Sequence, residues 1–283
     1  GWQPQRAPGA ALSMPKLAAV HRAAVAQCDK VDGLVDGLIS RPDACTFDPA
    51  TIQCRAGDGE DCLTAPQVET MRALYNGIPD PRGGQLLPGW PVGSEMQMAA
   101  VIMGQQPFPV ALTYFSMLVF GDQQSWDWRS FDYFRDAYRS REYGSAILDV
   151  PADGLSAFFA RGGKLLMSHG WGDGLIPANN SLLFYSRLYH SLPREQAQQQ
   201  VRLFMAPGMD HCSGGEGPSE FDTLGAIDDW ATRGRAPNRL IATRPTTVAA
   251  APGAPAAPPR APMSRPLCPY PLVAEYSGKG DPN

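Results

Sequence analysis

An α/β fold with a parallel sheet is predicted by the second half of the sequence, where two strand–loop–helix units follow one another. In the first unit a short apolar run over residues 164–168 precedes His169-Gly170-Trp171-Gly172-Asp173, and residues 181–191 then have helical spacing. In the second, Val201-Arg202-Leu203-Phe204-Met205 reads as a strand and residues 206–218 as a Gly-rich loop. Residues 220–233 follow as a helix with Phe221, Leu224, Ile227 and Trp230 on one face.

The remaining elements follow in chain order. Residues 15–27 have Pro15 near their start and Ala-rich apolar spacing, which predicts a helix ending at Cys28. From there to about residue 150 periodicity is weak, and aromatics gather at Tyr114, Phe115, Phe120, Trp126, Trp128, Phe131, Tyr133 and Phe134, as expected of an irregular domain with its own aromatic cluster. Residues 245–266 are rich in Pro and Ala without a period, so they read as a linker or surface strap. No internal repeat is present.

Composition narrows the class. The chain has 283 residues, 43% of them hydrophobic, enough for a buried core and for two domains of ordinary size. Pro 28 and Gly 29 predict many turns and long connections. A net charge of -4 and the lack of any Lys/Arg cluster exclude a phosphate-binding surface, so nucleic acid is not an expected partner. No stretch approaches the ~20 apolar residues needed to cross a bilayer, so a membrane is not expected either. The chain opens on Gly1-Trp2-Gln3, not on Met and a signal segment, which predicts that its start lies upstream. Six cysteines, four of them crowded into a Gly/Asp/Pro-rich stretch without CxxC spacing or a His-rich cluster, favour disulfides over zinc and an oxidising compartment, secreted or periplasmic.

Asp173 and His211 both fall just past the carboxyl ends of predicted strands, where an open α/β sheet gathers its functional side chains. An acid after one strand and a histidine after the next form the last two members of the Ser, Asp, His order of the α/β hydrolases. In that chemistry the acid holds one imidazole nitrogen and stabilises the imidazolium, while the other nitrogen takes the serine proton. Each residue has a plainer reading: Gly-Asp-Gly is turn chemistry, and a lone histidine can be structural.

The segments around these two residues carry a resemblance. Pro207-Gly208-Met209-Asp210-His211-Cys212-Ser213-Gly214-Gly215, with Phe221-Asp222 and a Trp-containing helix after it, resembles the histidine loop of the tannase and feruloyl esterase family. Ser168-His169-Gly170-Trp171-Gly172-Asp173-Gly174-Leu175-Ile176-Pro177 resembles that family's acid loop, and Arg265-Pro266-Leu267-Cys268-Pro269-Tyr270-Pro271 its C-terminal signature. The resemblance implies a partial α/β-hydrolase sheet carrying an irregular, disulfide- and calcium-stabilised lid domain. On that reading residues 1–27 are a hydrolase remnant leading into the lid, 28–155 the lid with a calcium loop, 156–244 the C-terminal part of the hydrolase domain, and 245–283 the strap and C-terminal segment. Asp173 would be the orienting acid and His211 the general base.

The family's serine would lie upstream of Cys28 in a Gly-Cys-Ser-x-Gly-Gly elbow, and no serine here has glycine two positions before and two after. The oxyanion hole, built partly from the amide after that serine, is expected to be missing with it. The family's C-terminal continuation to a further cysteine is likewise not found after Asn283, so both ends look cut. Cys212 would pair with the cysteine before the absent serine and Cys268 with the cysteine beyond the end, unless the two pair together or with another chain. The resemblance also implies Cys28–Cys45 and Cys54–Cys62 bonds, each adding ~2–4 kcal/mol.

Cys28-Asp29-Lys30-Val31-Asp32-Gly33-Leu34-Val35-Asp36-Gly37-Leu38 offers closely spaced carboxylates and glycines, a pattern that serves a hard cation or a solvated Asp/Gly turn. The resemblance implies structural Ca²⁺ on the side chains of Asp29, Asp32 and Asp36 and the carbonyls of Leu34 and Leu38. The expected function is hydrolysis of carboxylic esters of aromatic acids, hydroxycinnamic or gallic in type, by a Ser-His-Asp triad whose serine is not in this chain, so that the chain alone is inactive. The alternatives are one chain of a two-chain esterase, the second chain bringing the nucleophile, and a non-catalytic calcium-binding secreted module. Most of the aromatic cluster reads as the lid's own core.

Overall fold

The computed structural model describes residues 2–121, 126–247 and 259–282. A helical turn, α1 (Gln3–Arg6), precedes the Ala-rich helix α2 (Met14–Cys28). Pro15 sits in the first turn of α2, where a missing amide leaves no bond unmade. Leu17, Val20 and Ala24, spaced by three and four, form its buried face. After an irregular loop, α3 (Ala65–Asn76) begins where Gln67 reaches back to accept the Thr64 amide at 2.9 Å. A small hairpin, β1 (Ile78–Pro79) with β2 (Gln85–Leu87), leads to α4 (Glu95–Ile102). Helices α2, α3 and α4 enclose one core built on Leu17, Val20, Val68, Met71, Leu74, Met98 and Ile102.

Next come α5 (Pro109–Thr113), a π-helical turn (Tyr114–Val119), α6 (Arg135–Tyr143) and α7 (Ser145–Leu148). The sequence predicted irregular chain over much of this stretch; α3, α4 and α6 are helical instead. Their signals are weak for physical reasons: α4 is apolar on most sides, so no face stands out, and α6 is polar and buries only Asp136 and Ala137. Trp2 joins the expected aromatic cluster, 4.6 Å from Phe131 and 5.3 Å from Phe115 between ring centres, with Trp126 stacked on Phe120 at 4.8 Å.

From α8 (Ser156–Ala160) the chain enters β3 (Leu165–Gly170), α9 (Ala178–Ser191), α10 (Arg194–Gln200) and β4 (Val201–Ala206). β3 and β4 are parallel, in register from Leu165 opposite Val201 to Gly170 opposite Ala206. The two-residue alternation of β4 divides it between two cores. Val201, Leu203 and Met205 pack with Phe159, Tyr185 and Leu188, while Phe204 and Ala206 pack with Leu240, Ala242 and Leu267. A parallel strand covered on both faces reads as a continuous apolar run, which is why β4 was visible in the sequence.

Helix α11 (Thr223–Arg233) starts three residues after the expected residue 220. Glu220 is held in a bridge with Thr243, and Asp222 caps the helix by accepting the Gly225 amide at 2.7 Å. Phe221 and Leu224 are therefore not on one helical face with Trp230: Leu224 is 78% exposed while Trp230 is buried. β5 (Leu240–Thr243) pairs antiparallel with β6 (Ser264–Leu267), so a strand lies in part of the stretch expected to be a strap, its two-residue pattern hidden by Pro266. The central part of that stretch lies outside the described residues.

Cys28 bonds Cys45 and Cys54 bonds Cys62, closing short loops beside the α2–α4 core. Cys212 and Cys268 do not pair with each other. Cys212 is exposed in the histidine loop, and Cys268, half-buried after β6, has its thiol pushed up by burial.

Candidate active site

The loops after β3 and β4 travel together. The Trp171 amide donates to the Ala206 carbonyl and the Gly172 amide to the Met209 carbonyl, each at 2.9 Å, which extends the strand pairing beyond the strand ends. Gly170 is required by this approach, since a Cβ there would lie 2.1 Å from the Met209 oxygen. On the far side Gly174 passes against the α4 backbone, where a Cβ would meet Gln97 at 2.1 Å. Trp90 Nε1 donates to the Gly174 carbonyl at 3.1 Å and Asn179 Nδ2 to the Gly89 carbonyl at 2.8 Å. The acid loop is thus braced by the histidine loop and by residues 89–97.

Asp173 is 3% exposed, and its carboxylate accepts four hydrogen bonds. Oδ1 takes the Leu175 and Ile176 amides at 2.9 and 2.8 Å. Oδ2 lies 2.9 Å from His211 Nδ1 and 3.1 Å from His169 Nε2. Burial alone would raise this carboxyl, but the bonds from His169, Ile176, His211 and Leu175 outweigh it and lower it to about 2. An acid held ionised against a histidine can fix the Nδ1–H tautomer and stabilise an imidazolium. The His211 side chain is 44% exposed, and its Nε2 has no hydrogen-bond partner among the described residues. Sequence reasoning paired Asp173 with His211, and the structure brings them into contact.

Further titratable groups lie in and behind the histidine loop. Burial, together with the negative charges of Glu216 and Asp173, pushes the Asp210 carboxyl up to about 7 against the pull of Arg260. His21, in the middle of α2, bridges Glu95 Oε2 at 2.7 Å and Glu216 Oε2 at 3.2 Å. Burial opposes its charge, but the bonds to Glu216 and Glu95 raise it to about 10. Glu95 is 0% exposed and its Oε1 also accepts the Tyr75 hydroxyl and the Gly93 amide, each at 2.7 Å. This network ties α2 and α4 to the histidine loop. Sequence reasoning missed it; the available signals were a histidine in the middle of an Ala-rich helix and a glutamate opening an apolar one.

In the Asp29–Leu38 loop, Asp29 accepts the Asp36 and Gly37 amides at 3.1 and 2.9 Å. Asp32 accepts the Leu34 amide and Asp36 the Leu38 amide, each at 3.1 Å. Asp36 Oδ2 also pairs with Arg265 at 2.6 Å. Three carboxylates within eight residues suit a hard cation in chemistry. In arrangement they form turns that satisfy backbone amides, and among the described residues no three acidic, His or Cys side chains are grouped as metal ligands.

A cavity of about 700 Å³ adjoins the acid loop, with Leu175, Ile176 and Pro177 on one side and Trp90, Phe115 and Tyr133 among the residues on the other. Its lining is predominantly apolar, as binding cavities for flat organic groups are.

Comparison with known proteins places nearly the whole chain beside esterases. The family model described as tannase and feruloyl esterase matches residues 5–283. An uncharacterized esterase of Xanthomonas campestris pv. campestris is 30% identical over 322 residues, covering 96% of this chain and 54% of that protein. A probable feruloyl esterase B-2 of Aspergillus terreus is 31% identical over 287 residues, covering 95% of this chain and 53% of its own length. The crystal structure of an esterase from Aspergillus oryzae superposes with a TM-score of 0.81 at 28% identity, covering 95% of this chain and 56% of that one. The chain spans about half the length of the curated relatives it matches.

Proposed function

The chain belongs to the tannase and feruloyl esterase family, and from that premise we propose that it supplies the acid and base of a serine carboxylic ester hydrolase acting on esters of aromatic acids. The observation that carries the reading is the 2.9 Å contact between Asp173 Oδ2 and His211 Nδ1, formed at the ends of adjacent parallel strands with the other imidazole nitrogen unbonded among the described residues. His211 takes the proton of the attacking hydroxyl and returns it to the leaving alcohol; a water then cleaves the acyl-enzyme by the same base. The hydroxyl comes from a serine outside this chain, in an upstream segment of the same polypeptide or in a second chain, where Cys212 finds a disulfide partner. An aromatic acyl group fits the apolar cavity beside Ile176, and residues 28–155 act as the lid that closes it.

Two finer readings accompany this one. The side chains of Asp29, Asp32 and Asp36 and the carbonyls of Leu34 and Leu38 would hold a structural Ca²⁺, whose charge would offset the three carboxylates. If so, Ca²⁺ raises the melting temperature and a chelator lowers it; a melting temperature indifferent to both discards the site. The two disulfides and the family of the relatives favour a secreted or periplasmic protein.

The test is intact mass of the native, non-reduced protein together with hydrolysis of methyl ferulate and methyl gallate. Hydrolysis by a larger species, abolished by His211→Ala, supports the proposal. Hydrolysis by the 30.5 kDa chain alone would place the nucleophile within it and overturn the missing-serine account.

A further inference from the structure

His169 ends β3 with its side chain mostly buried, and all its hydrogen bonds run to groups that define its protonation. Nε2 faces two acceptors, Asp173 Oδ2 at 3.1 Å and the Ile176 carbonyl at 3.2 Å. A bare nitrogen there would oppose two oxygens, so Nε2 carries the hydrogen. Nδ1 lies 2.7 Å from Ser181 Oγ, a hydroxyl able to donate to it. Ser181 stands near the start of α9, so the helix that follows the acid loop holds the far side of the ring.

We propose that His169 is a positioning residue for the acid: its Nε2–H donates to the same Asp173 Oδ2 that takes the Nδ1–H of His211, and Ser181 holds it in that tautomer. The inference rests on the proposed acid–base role of Asp173 and His211. With two imidazoles on Oδ2 and two amides on Oδ1, the carboxylate is fixed in plane and has little basicity left, so the proton His211 gains in the reaction stays on His211. The charge of Asp173 helps push the nearby Asp210 carboxyl up. At Asp173 itself the bond from His169 counters burial.

NMR of the 283-residue chain tests this without a turnover assay. In the unsubstituted protein the ¹⁵N signals of His169 should show Nε2 protonated and Nδ1 bare; the opposite tautomer overturns the proposal. His169→Phe, which keeps the ring's shape without a donor, should raise the carboxyl midpoint of Asp173 by about one pH unit or more, as loss of one charge-assisted bond implies. His169→Gln, whose amide can reach the Nε2 position, should restore it. An unchanged Asp173 midpoint in the Phe variant sinks the role of His169. Asp173→Asn separates the two readings: it should change the ¹⁵N tautomer signature of His211, whose Nδ1–H loses its carboxylate acceptor. If it does so while His169→Phe leaves Asp173 unmoved, the acid–base pair stands and only this inference fails. If His211 ignores Asp173→Asn, both fail.

Discussion

The core under α2, α3 and α4 and the core around β4 are stabilised by different means. The first is assembled from short helices, and two disulfides close the loops beside it. It also contains a carboxylate with no solvent contact, Glu95, whose four-way network reaches out to the histidine loop. The second rests on a pair of parallel strands, with the residues of β4 alternating between two apolar clusters. Covalent and polar bonds thus reinforce the helical region and its loops, while backbone pairing shapes the region that holds the candidate chemistry. The difference teaches where each is vulnerable: the first to reduction and pH, the second to loss of a loop contact.

The sharpest way to test the second region is Asp173→Asn. In an extended protein that carries the nucleophile, kcat should fall on the order of 10⁴-fold with folding intact, because His211 loses its tautomer and its counter-charge. Steady-state kinetics beside a melting curve would show whether the effect is chemical or structural.

Next in size is Glu95→Leu, which leaves His21, the Tyr75 hydroxyl and the Gly93 amide facing an apolar group. Urea unfolding should show a loss of about 3–5 kcal/mol, as for one partner removed from a buried pair. The same network gives the first region a pH signature. His21 is raised in the folded state from 6.5 to about 10, so its contribution is complete below pH 6.5 and is lost as pH rises through about 10. Stability measured between those limits should decline with pH, and the decline should vanish in His21→Gln.

Replacing Cys28 and Cys45 by serine should cost about 3 kcal/mol, since the bond closes a separation of 17 residues. The Asp173–His211 contact should survive, because neither cysteine touches it; a changed ¹⁵N tautomer signature of His211 would show that the His21 network passes the loss on to the histidine loop. Smallest of all, Leu224→Ser should alter stability by no more than about 0.5 kcal/mol, because this apolar residue faces solvent.

Much of the second region was legible in the sequence. β3, β4 and the loops after them follow from apolar runs ended by glycines, and the Cys28–Cys45 and Cys54–Cys62 pairs agree with those implied by the family resemblance. The start of α11 was misplaced because Glu220 had a β-partner, Thr243, more than twenty residues away, which no local pattern reveals. α4 escaped notice because its sequence is apolar on nearly every side, so the face that buries Glu95, Met98 and Ile102 does not stand out. Strand β6 was masked by its proline, tolerated there because the strand is short and pairs with β5.

The sequence alone determined the class of fold and the two loops that carry Asp173 and His211, because strand alternation, glycine turns and motif spacing are local. Only the tertiary structure decided that His169 and His211 share one carboxylate oxygen, that Ser181 meets the other nitrogen of His169, and that His21 links two glutamates 121 positions apart in the chain. Hydrogen bonds act over about 3 Å, whatever the separation along the chain, and which groups come that close is fixed by the packing of whole elements.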